Sequence, residues 1–283
     1  MISIYNFLQG LYCKPFFIFQ NRGTISYSMA EISIKAETLF HIGVFNFTNS
    51  YLLSLIIVGI FVSLGFWFKK NLMMIPGKLQ SLLELFMEEV LKMMDTILGS
   101  RHQSERYFPI IATIFLFVLL SNWMGLLPGT GSLGLTHEIY HHGEYRSVLV
   151  PLLRAPTSDL NFTIALAIIA VFSVNLLGAM AVGMRAHAGK FFNLKNPIYT
   201  FVGLLELISE FVKIISFSFR LFGNVFAGEV LLMIIGFLGP FFLPLPFLFL
   251  EVFVGFIQAF IFAMLTLVFI AMSVSHHEEV ESH

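Results

Sequence analysis

The sequence predicts an all-α integral membrane protein of about five membrane helices, the last two a long tilted hairpin, with one more amphipathic helix on the membrane surface. Three observations predict it. Apolar residues make up 57% of the 283 positions and charged residues 12%, against roughly 45–50% and 25% in soluble domains. Several uninterrupted apolar runs reach the roughly 20 residues that a spanning helix needs. Residues 78 to 98 alternate with helical period instead, carrying Leu82, Leu83, Phe86, Val90, Met93, Met94 and Ile97 on one side and Glu84, Glu88, Lys92 and Asp95 elsewhere.

Taken in order, the runs are "SYLLSLIIVGIFVSLGFWF" (50 to 68), "YFPIIATIFLFVLLSNWMGLL" (107 to 127) and "LNFTIALAIIAVFSVNLLGAMAVGM" (160 to 184). The fourth is longer. From Ile198 to Leu238 there is no proline, and a helix of that length reaches roughly 60 Å, twice the bilayer core. It must either lie strongly tilted or break at Gly203, Gly223 or Gly228. "GPFFLPLP" (239 to 246) ends it, and a fifth run, 247 to 274, returns antiparallel.

Lys and Arg near span ends set orientation. Six of them (Lys69, Lys70, Lys78, Lys92, Arg101, Arg106) lie between the first two spans, and Arg185, Lys190 and Lys195 follow the third. These loops are expected in the cytoplasm. The connection with only Arg146 and Arg154 is expected outside, together with the N-terminus. The expected organisation is an outward N-terminal segment (1 to 49), one polytopic membrane domain (50 to 275) and a cytoplasmic tail (276 to 283) carrying His276, His277 and His283. Residues 1 to 28 differ in character from the rest, so Met29 is a candidate start, and there is no signal-peptide pattern. Net charge of −1 gives no general attraction to nucleic acid, and the single Cys13 excludes an internal disulfide.

Arg220 stands inside the fourth run, where insertion of an arginine costs about 2.5–3.5 kcal/mol. At about 100° per residue, Glu206, Lys213, Ser216 and Asn224 fall within about 40° of it, and Glu229 about 180° away. On the fifth run Glu251 and Gln258 are seven apart, two turns along one face. A hairpin folded about 241 and 242 sets Gln258 level with Asn224, and Glu251 near Glu229. Paired buried acids repel one another and suit a proton relay. Glu229, Glu251 and Asp159 fall in the outer half on this orientation, Glu206 and Glu210 in the cytoplasmic half, with Arg220 between. That order suggests two dead-end aqueous paths separated by a cation that stays charged at any working pH. No carboxylate stands close on the same face of the helix, so the partner of Arg220 is expected on another, mobile protein. The competing reading is a structural ion pair with Glu206 or Glu210, with Glu229 and Glu251 snorkelling to an interface and Asn224 and Gln258 bonding helices together.

"FSFRLFGNVFAGE" with "QAFIFAMLTLVFIAMS", "YFPIIATIFLFVLLSNWMGLLPG" and "PTSDLNFTIALA" resembles the subunit a family of F-type ATP synthases, of bacterial type, over about residues 40 to 275. The resemblance implies that Arg220 faces proton-carrying carboxylates of a rotating c-ring. It further implies that Asn224, Glu229 and Gln258 line the path, that Glu206 lies on the cytoplasmic side and Asp159 towards the outer entrance. Partners implied are the c-subunit ring, the subunit b peripheral stalk and other ATP synthase subunits, in the bacterial inner membrane. Bacterial members often have histidine where this chain has Glu251; here both relay positions are glutamate. The chain would conduct and direct protons without catalysing, and it has no P-loop. No cofactor is expected.

Two rival classes remain. "HEIYH" (137 to 141) is formally the H-E-x-x-H motif of zinc proteases, which needs a helix to bring both histidines to one metal. Glycines on both sides oppose a helix there, no third ligand is evident, and simple metal binding by His137, His141 and His142 is a lesser variant. A secondary transporter would pair Arg220 with a substrate anion, but such folds carry internal repeats and this chain shows none.

Overall fold

Each long apolar run forms a helix in this computed structural model, which describes residues 17–21, 24–28, 38–42, 45–73, 76–127, 130, 134–141, 144–184, 187, 189, 197–239 and 242–275. Cys13, Met29, His142 and the 276–283 tail lie outside the described residues. Six long helices are α1 (Asn49–Asn71), α2 (Lys78–Leu98), α3 (Arg101–Leu126), α4 (Leu160–Val182), α5 (Pro197–Leu238) and α6 (Pro244–Ser275). All but α2 are long and apolar enough to cross a membrane. Three antiparallel hairpins add to the helical class: β1–β2 (Phe17–Asn21, Thr24–Ser28), β3–β4 (Thr38–Ile42, Phe45–Thr48) and β5–β6 (Gly134–His141, Glu144–Pro151).

The ends of the helices follow local chemistry. The Thr48 hydroxyl accepts the Tyr51 N–H at 3.3 Å and caps α1. Gly99 closes α2 with φ of 70°, a left-handed conformation that suits glycine, its N–H donating to the Asp95 carbonyl. Asp159 caps α4, its Oδ1 accepting the Asn161 N–H at 3.0 Å. Pro244, without an N–H to lose, opens α6 in place of the longer break read over 239 to 246. The second span starts earlier than its apolar run, because the polar stretch from Arg101 to Arg106 is already the first turns of α3.

The alternative left open for the fourth run is resolved: α5 is one unbroken helix of 42 residues, with no interruption at Gly203, Gly223 or Gly228. At 1.5 Å per residue it is about 63 Å long.

Contacts divide the chain into two units. The first gathers Met1–Val58, Val118–Thr163 and Phe219–Gln258. Leu53, Ile57, Val118 and Leu221 are fully buried in it. Its α3 and α6 segments are fastened by side-chain donors to backbone carbonyls: Asn122 Nδ2 to Gly255 at 3.0 Å and Trp123 Nε1 to Val252 at 3.1 Å. Gly125 lies so close to Ala155 that a methyl group there would overlap it.

The second unit gathers Gly59–Phe117, Ile164–Ser218 and Ala259–His283. Phe217 of α5 packs on Phe262 and Phe269 of α6, with ring centroids 4.8 and 5.8 Å apart. Phe86 stacks on Phe115 at 6.0 Å, joining α2 to α3. Arg101 binds Glu88, Asp95 and Glu105 at 2.7, 3.2 and 3.1 Å, and its hydrogen bond holds the Glu88 carboxyl below the usual carboxylate range.

Large apolar side chains cover the outside of both units. Phe249 is 71% exposed in the first and Phe172 64% in the second, among many others. Only a bilayer or a partner protein covers so much apolar surface.

Candidate functional site

A pocket opens in the first unit between the α3, α5 and α6 segments, lined by Asn122, Asn224, Glu229, Glu251, Gly255 and Gln258 among others. It has room for a water-sized molecule. Antiparallel packing of α5 on α6 creates it, in the register expected from equal helix rise. Asn224 Nδ2 donates to Gln258 Oε1 at 2.7 Å, one turn from where Glu251 meets α5.

Gly228 explains how Glu251 reaches the pocket. The carboxylate lies against the α5 backbone at Gly228, where any side chain would overlap it. Gly255 on α6 likewise leaves Asn122 room, a Cβ there falling 3.2 Å from the Asn122 Cβ. The pocket thus holds two carboxylates and three carboxamides in a largely apolar wall. Such a set can pass a proton between acids through one or two waters, provided that the carboxamides hold those waters in place.

The carboxamides are incompletely used by protein groups. Gln258 is buried and accepts from Asn224, but among the described residues its Nε2 has no partner and the buried Asn122 Oδ1 has no donor. Both residues line the same small pocket, and a water held there is the partner that either atom could take.

Arg220, also in the first unit, is exposed and is not among the residues lining the pocket. Gly223, Asn224 and Ala227, on the same side of α5, are exposed as well. Nothing lies within 4 Å of the position that a Gly223 Cβ would take. A neighbouring helix can therefore approach the α5 backbone closely beside the guanidinium. Phe219, 55% exposed, extends this face with apolar surface.

The other expected site residues stand elsewhere. Asp159 is buried at the start of α4 and serves as its cap; it does not line the pocket. Glu206 is half-buried on α5 in the second unit. Its neighbour Glu210 has both carboxylate oxygens engaged, Oε1 by Lys213 Nζ at 2.7 Å and Oε2 by Asn175 Nδ2 at 2.9 Å. Lys213 Nζ also lies 4.7 Å from the Phe269 ring centre.

Sequence reasoning missed Asn122 and Trp123, which sit within "LSNWMG" and looked like the end of a span. A lone carboxamide in an apolar run was the available signal, the same one that singled out Asn224 and Gln258. It also missed the contact of His187 Nε2 with Asn175 Oδ1 at 3.1 Å.

The H-E-x-x-H segment lies in strand β5, paired with β6 from Gly134↔Pro151 to His141↔Glu144. Four residues of strand separate His137 from His141 by about 13 Å. The helical arrangement of a zinc protease is therefore not formed.

The family model for the ATP synthase A chain matches residues 50–271. ATP synthase subunit a of Campylobacter fetus subsp. fetus is 30% identical over 251 residues, 89% of this chain and 100% of that one. That of Moorella thermoacetica is 31% identical over 244 residues, 86% and 99% respectively. Subunit a 1 of Syntrophotalea carbinolica is 32% identical over 240 residues, 83% and 88%. With five helices long and apolar enough to cross a membrane, the chain is a multi-pass membrane protein that belongs to the ATP synthase A chain family, the subunit a of F-type ATP synthases.

Proposed function

We propose that residues 50 to 275 form the single membrane domain of a proton-conducting stator, supplying two aqueous half-channels and, between them, the arginine that faces a rotating ring of c subunits. The observation that carries this reading is Arg220 standing exposed beside Gly223 and Ala227, on a helix that also lines a pocket with two carboxylates. The pocket with Glu229, Glu251, Asn224 and Gln258 is the outer half-path, with Asp159 towards its entrance. Glu206 belongs to the cytoplasmic one.

In this mechanism a protonated ring carboxylate reaches Arg220, releases its proton to one half-path and passes as an anion held by the guanidinium. After rotation it is reprotonated from the other half-path. Arg220 never loses its charge, so no proton hops directly from one path to the other. Each charge crossing the membrane potential gains about 2.3 kcal/mol per 100 mV, so several are combined for each ATP made by the soluble head. In this reading the chain conducts and directs without catalysing, and it has no P-loop with which to bind nucleotide. The distribution of Lys and Arg supports an orientation with the N-terminus outside and the C-terminus in the cytoplasm; in this reading the membrane is the bacterial inner membrane and the subunit b stalk holds the chain against the torque of the ring.

Proton movement in inverted vesicles carrying the assembled complex tests this. Arg220→Ala is expected to abolish ATP-driven pumping while the complex still assembles, and passive leak is expected to persist or rise once the soluble head is stripped. Pumping at the native rate would show that the arginine is structural.

A further inference from the structure

The pocket in the first unit contains a residue that the mechanism above does not use. Asn122 of α3 is buried, with 3% of its surface exposed, and its Nδ2 donates to the Gly255 carbonyl at 3.0 Å. That bond fixes the orientation of the carboxamide, since the inverted amide would set two carbonyl oxygens against one another. Gly255 also limits its movement, because a Cβ there would stand 3.2 Å from the Asn122 Cβ. Oδ1 is therefore an acceptor, buried and without a donor among the described residues.

The pocket itself indicates what meets that need. Asn224 Nδ2 is spent on Gln258 Oε1 at 2.7 Å. Gln258 Nε2 is buried and also lacks a partner among the described residues, so it does not reach Asn122 Oδ1 although both residues line the pocket. A bare cation would answer only the acceptor, and an anion only the donor. Water answers both, and the pocket has room for a water-sized molecule. Glu229 and Glu251 line the same pocket. Both engage other groups as well, but a carboxylate has about four acceptor sites and can take a water besides.

We infer that Asn122 is a positioning residue of the outer half-path: Oδ1 accepts one O–H of a water held in the pocket, and so turns the other O–H and a lone pair towards the acids. The inference rests on the proton-conducting function proposed above. In a transfer, the O–H bond of the protonated acid breaks as its proton joins that lone pair, and the water's other O–H bond breaks as its proton joins the second carboxylate. The water is restored. The O–H on Asn122 stays where it is, because a carboxamide accepts a hydrogen bond but is too weak a base to take the proton.

Proton conductance is measured in inverted vesicles carrying the complete membrane sector, stripped of the soluble head, under a valinomycin-imposed potential and normalised to assembled sector. Asn122→Leu keeps the size and loses the acceptor, and conductance should fall about tenfold or more. It also loses the bond to Gly255, so Trp123→Phe is the control. That variant removes the Nε1 bond to the Val252 carbonyl in the same α3–α6 contact, and Trp123 is not among the residues lining the pocket. Its conductance should stay within about twofold of native. Asn122→Asp presents an oxygen where Oδ1 stood, whether ionised or protonated, and should keep at least about a third of native conductance. Infrared difference spectra of the same sector, taken between potentials of opposite sign and repeated in water labelled with heavy oxygen, read the water itself. The native spectrum should hold a water O–H band that moves in Asn122→Asp, where the strength of the acceptor has changed. This reading decides the matter if Asn122→Leu does not assemble. Near-native conductance in Asn122→Leu, an equal loss in Trp123→Phe, or a loss in Asn122→Asp as deep as in Asn122→Leu overturns the inference. So does a native spectrum without a water band, or a band that Asn122→Asp leaves unmoved. If the native vesicles show no conductance dependent on this sector, the proposed function itself fails and not only the role of Asn122.

Discussion

Replacing Gly228 by alanine perturbs the proposed outer path without changing the identity of any titratable residue. The added methyl would overlap all three atoms of the Glu251 carboxylate. The obstacle is fixed backbone on α5 and the yielding group is the end of a flexible side chain, so Glu251 must retreat by about an ångström to reach ordinary contact. Overpacking of this kind costs about 1–3 kcal/mol, which a long apolar hairpin tolerates, so the variant should assemble. Misplacing a reacting group by about 1 Å costs up to about a hundredfold in rate, and a tenfold to hundredfold loss of proton conductance is expected. Passive conductance of stripped vesicles, normalised to the amount of assembled sector, reads this directly. Glu251→Asp shortens the side chain by one methylene and makes room for the methyl. Combined with Gly228→Ala it should conduct better than the product of the two single effects predicts, a coupling that a double-mutant cycle isolates. Native conductance in Gly228→Ala at full assembly would refute the reasoning, because it would mean that the position of Glu251 against Gly228 does not matter to the path.

Two further outcomes follow from bonds in each unit. Gln258→Leu removes the acceptor 2.7 Å from the Asn224 amide and should lower thermal stability of the purified sector by about 1 kcal/mol, while Asn224→Leu with Gln258→Leu costs less than the sum of the singles. On the surface, Arg101 depresses the Glu88 carboxyl in the folded state, so the stability it contributes is present above the ordinary carboxylate range and is lost as pH falls through the lowered value. Protection factors for hydrogen exchange in α2, corrected for the intrinsic rate at each pH, should therefore fall on acidification below the ordinary carboxylate range, and Arg101→Gln should lower them at neutral pH and flatten this dependence.

The helices were legible because their signals are one-dimensional. A run of apolar residues long enough to span needs no partner to be recognised, and α2 was bounded correctly at both ends because Gly77 and Gly99 punctuate its periodicity. The register of Asn224 against Gln258 was legible for a related reason: two helices of equal rise joined by a short turn leave little freedom. What was hidden depends on the third dimension. Whether a 42-residue helix bends at its glycines is decided by what packs on them, and Gly228 is filled by Glu251 while Gly223 faces open space, so neither acts as a breaker. The role of Asp159 as a cap is written in "DLN", but a charged residue at the start of an apolar run reads equally as a channel entrance. The β5–β6 hairpin was obscured because its strands are eight residues each and their alternation is broken by histidine and glutamate.

The carboxamides connect these observations. A carboxamide in an apolar helix is costly unless both its donor and its acceptor find partners. In the first unit Gln258 accepts from Asn224 and Asn122 donates to Gly255, and in each case the opposite atom of the buried carboxamide is left over. In the second unit the Asn175 carboxamide is saturated at both ends, while Asp95 Oδ1 and the Ser273 hydroxyl are buried with no partner among the described residues. Leaving such atoms dry costs about 1–3 kcal/mol each, whereas an apolar residue of similar size at any of these positions would avoid the cost altogether. A chain that keeps them is arranged for water at those points. Water beside the carboxylate pair is what the proposed outer half-path requires, since neither a carboxamide nor an alkyl wall carries a proton onward. On the function proposed here, the unpartnered carboxamide atoms of Asn122 and Gln258 point to water in the outer half-path more directly than Asp159 or Glu210, which also serve as a cap and in an ion pair.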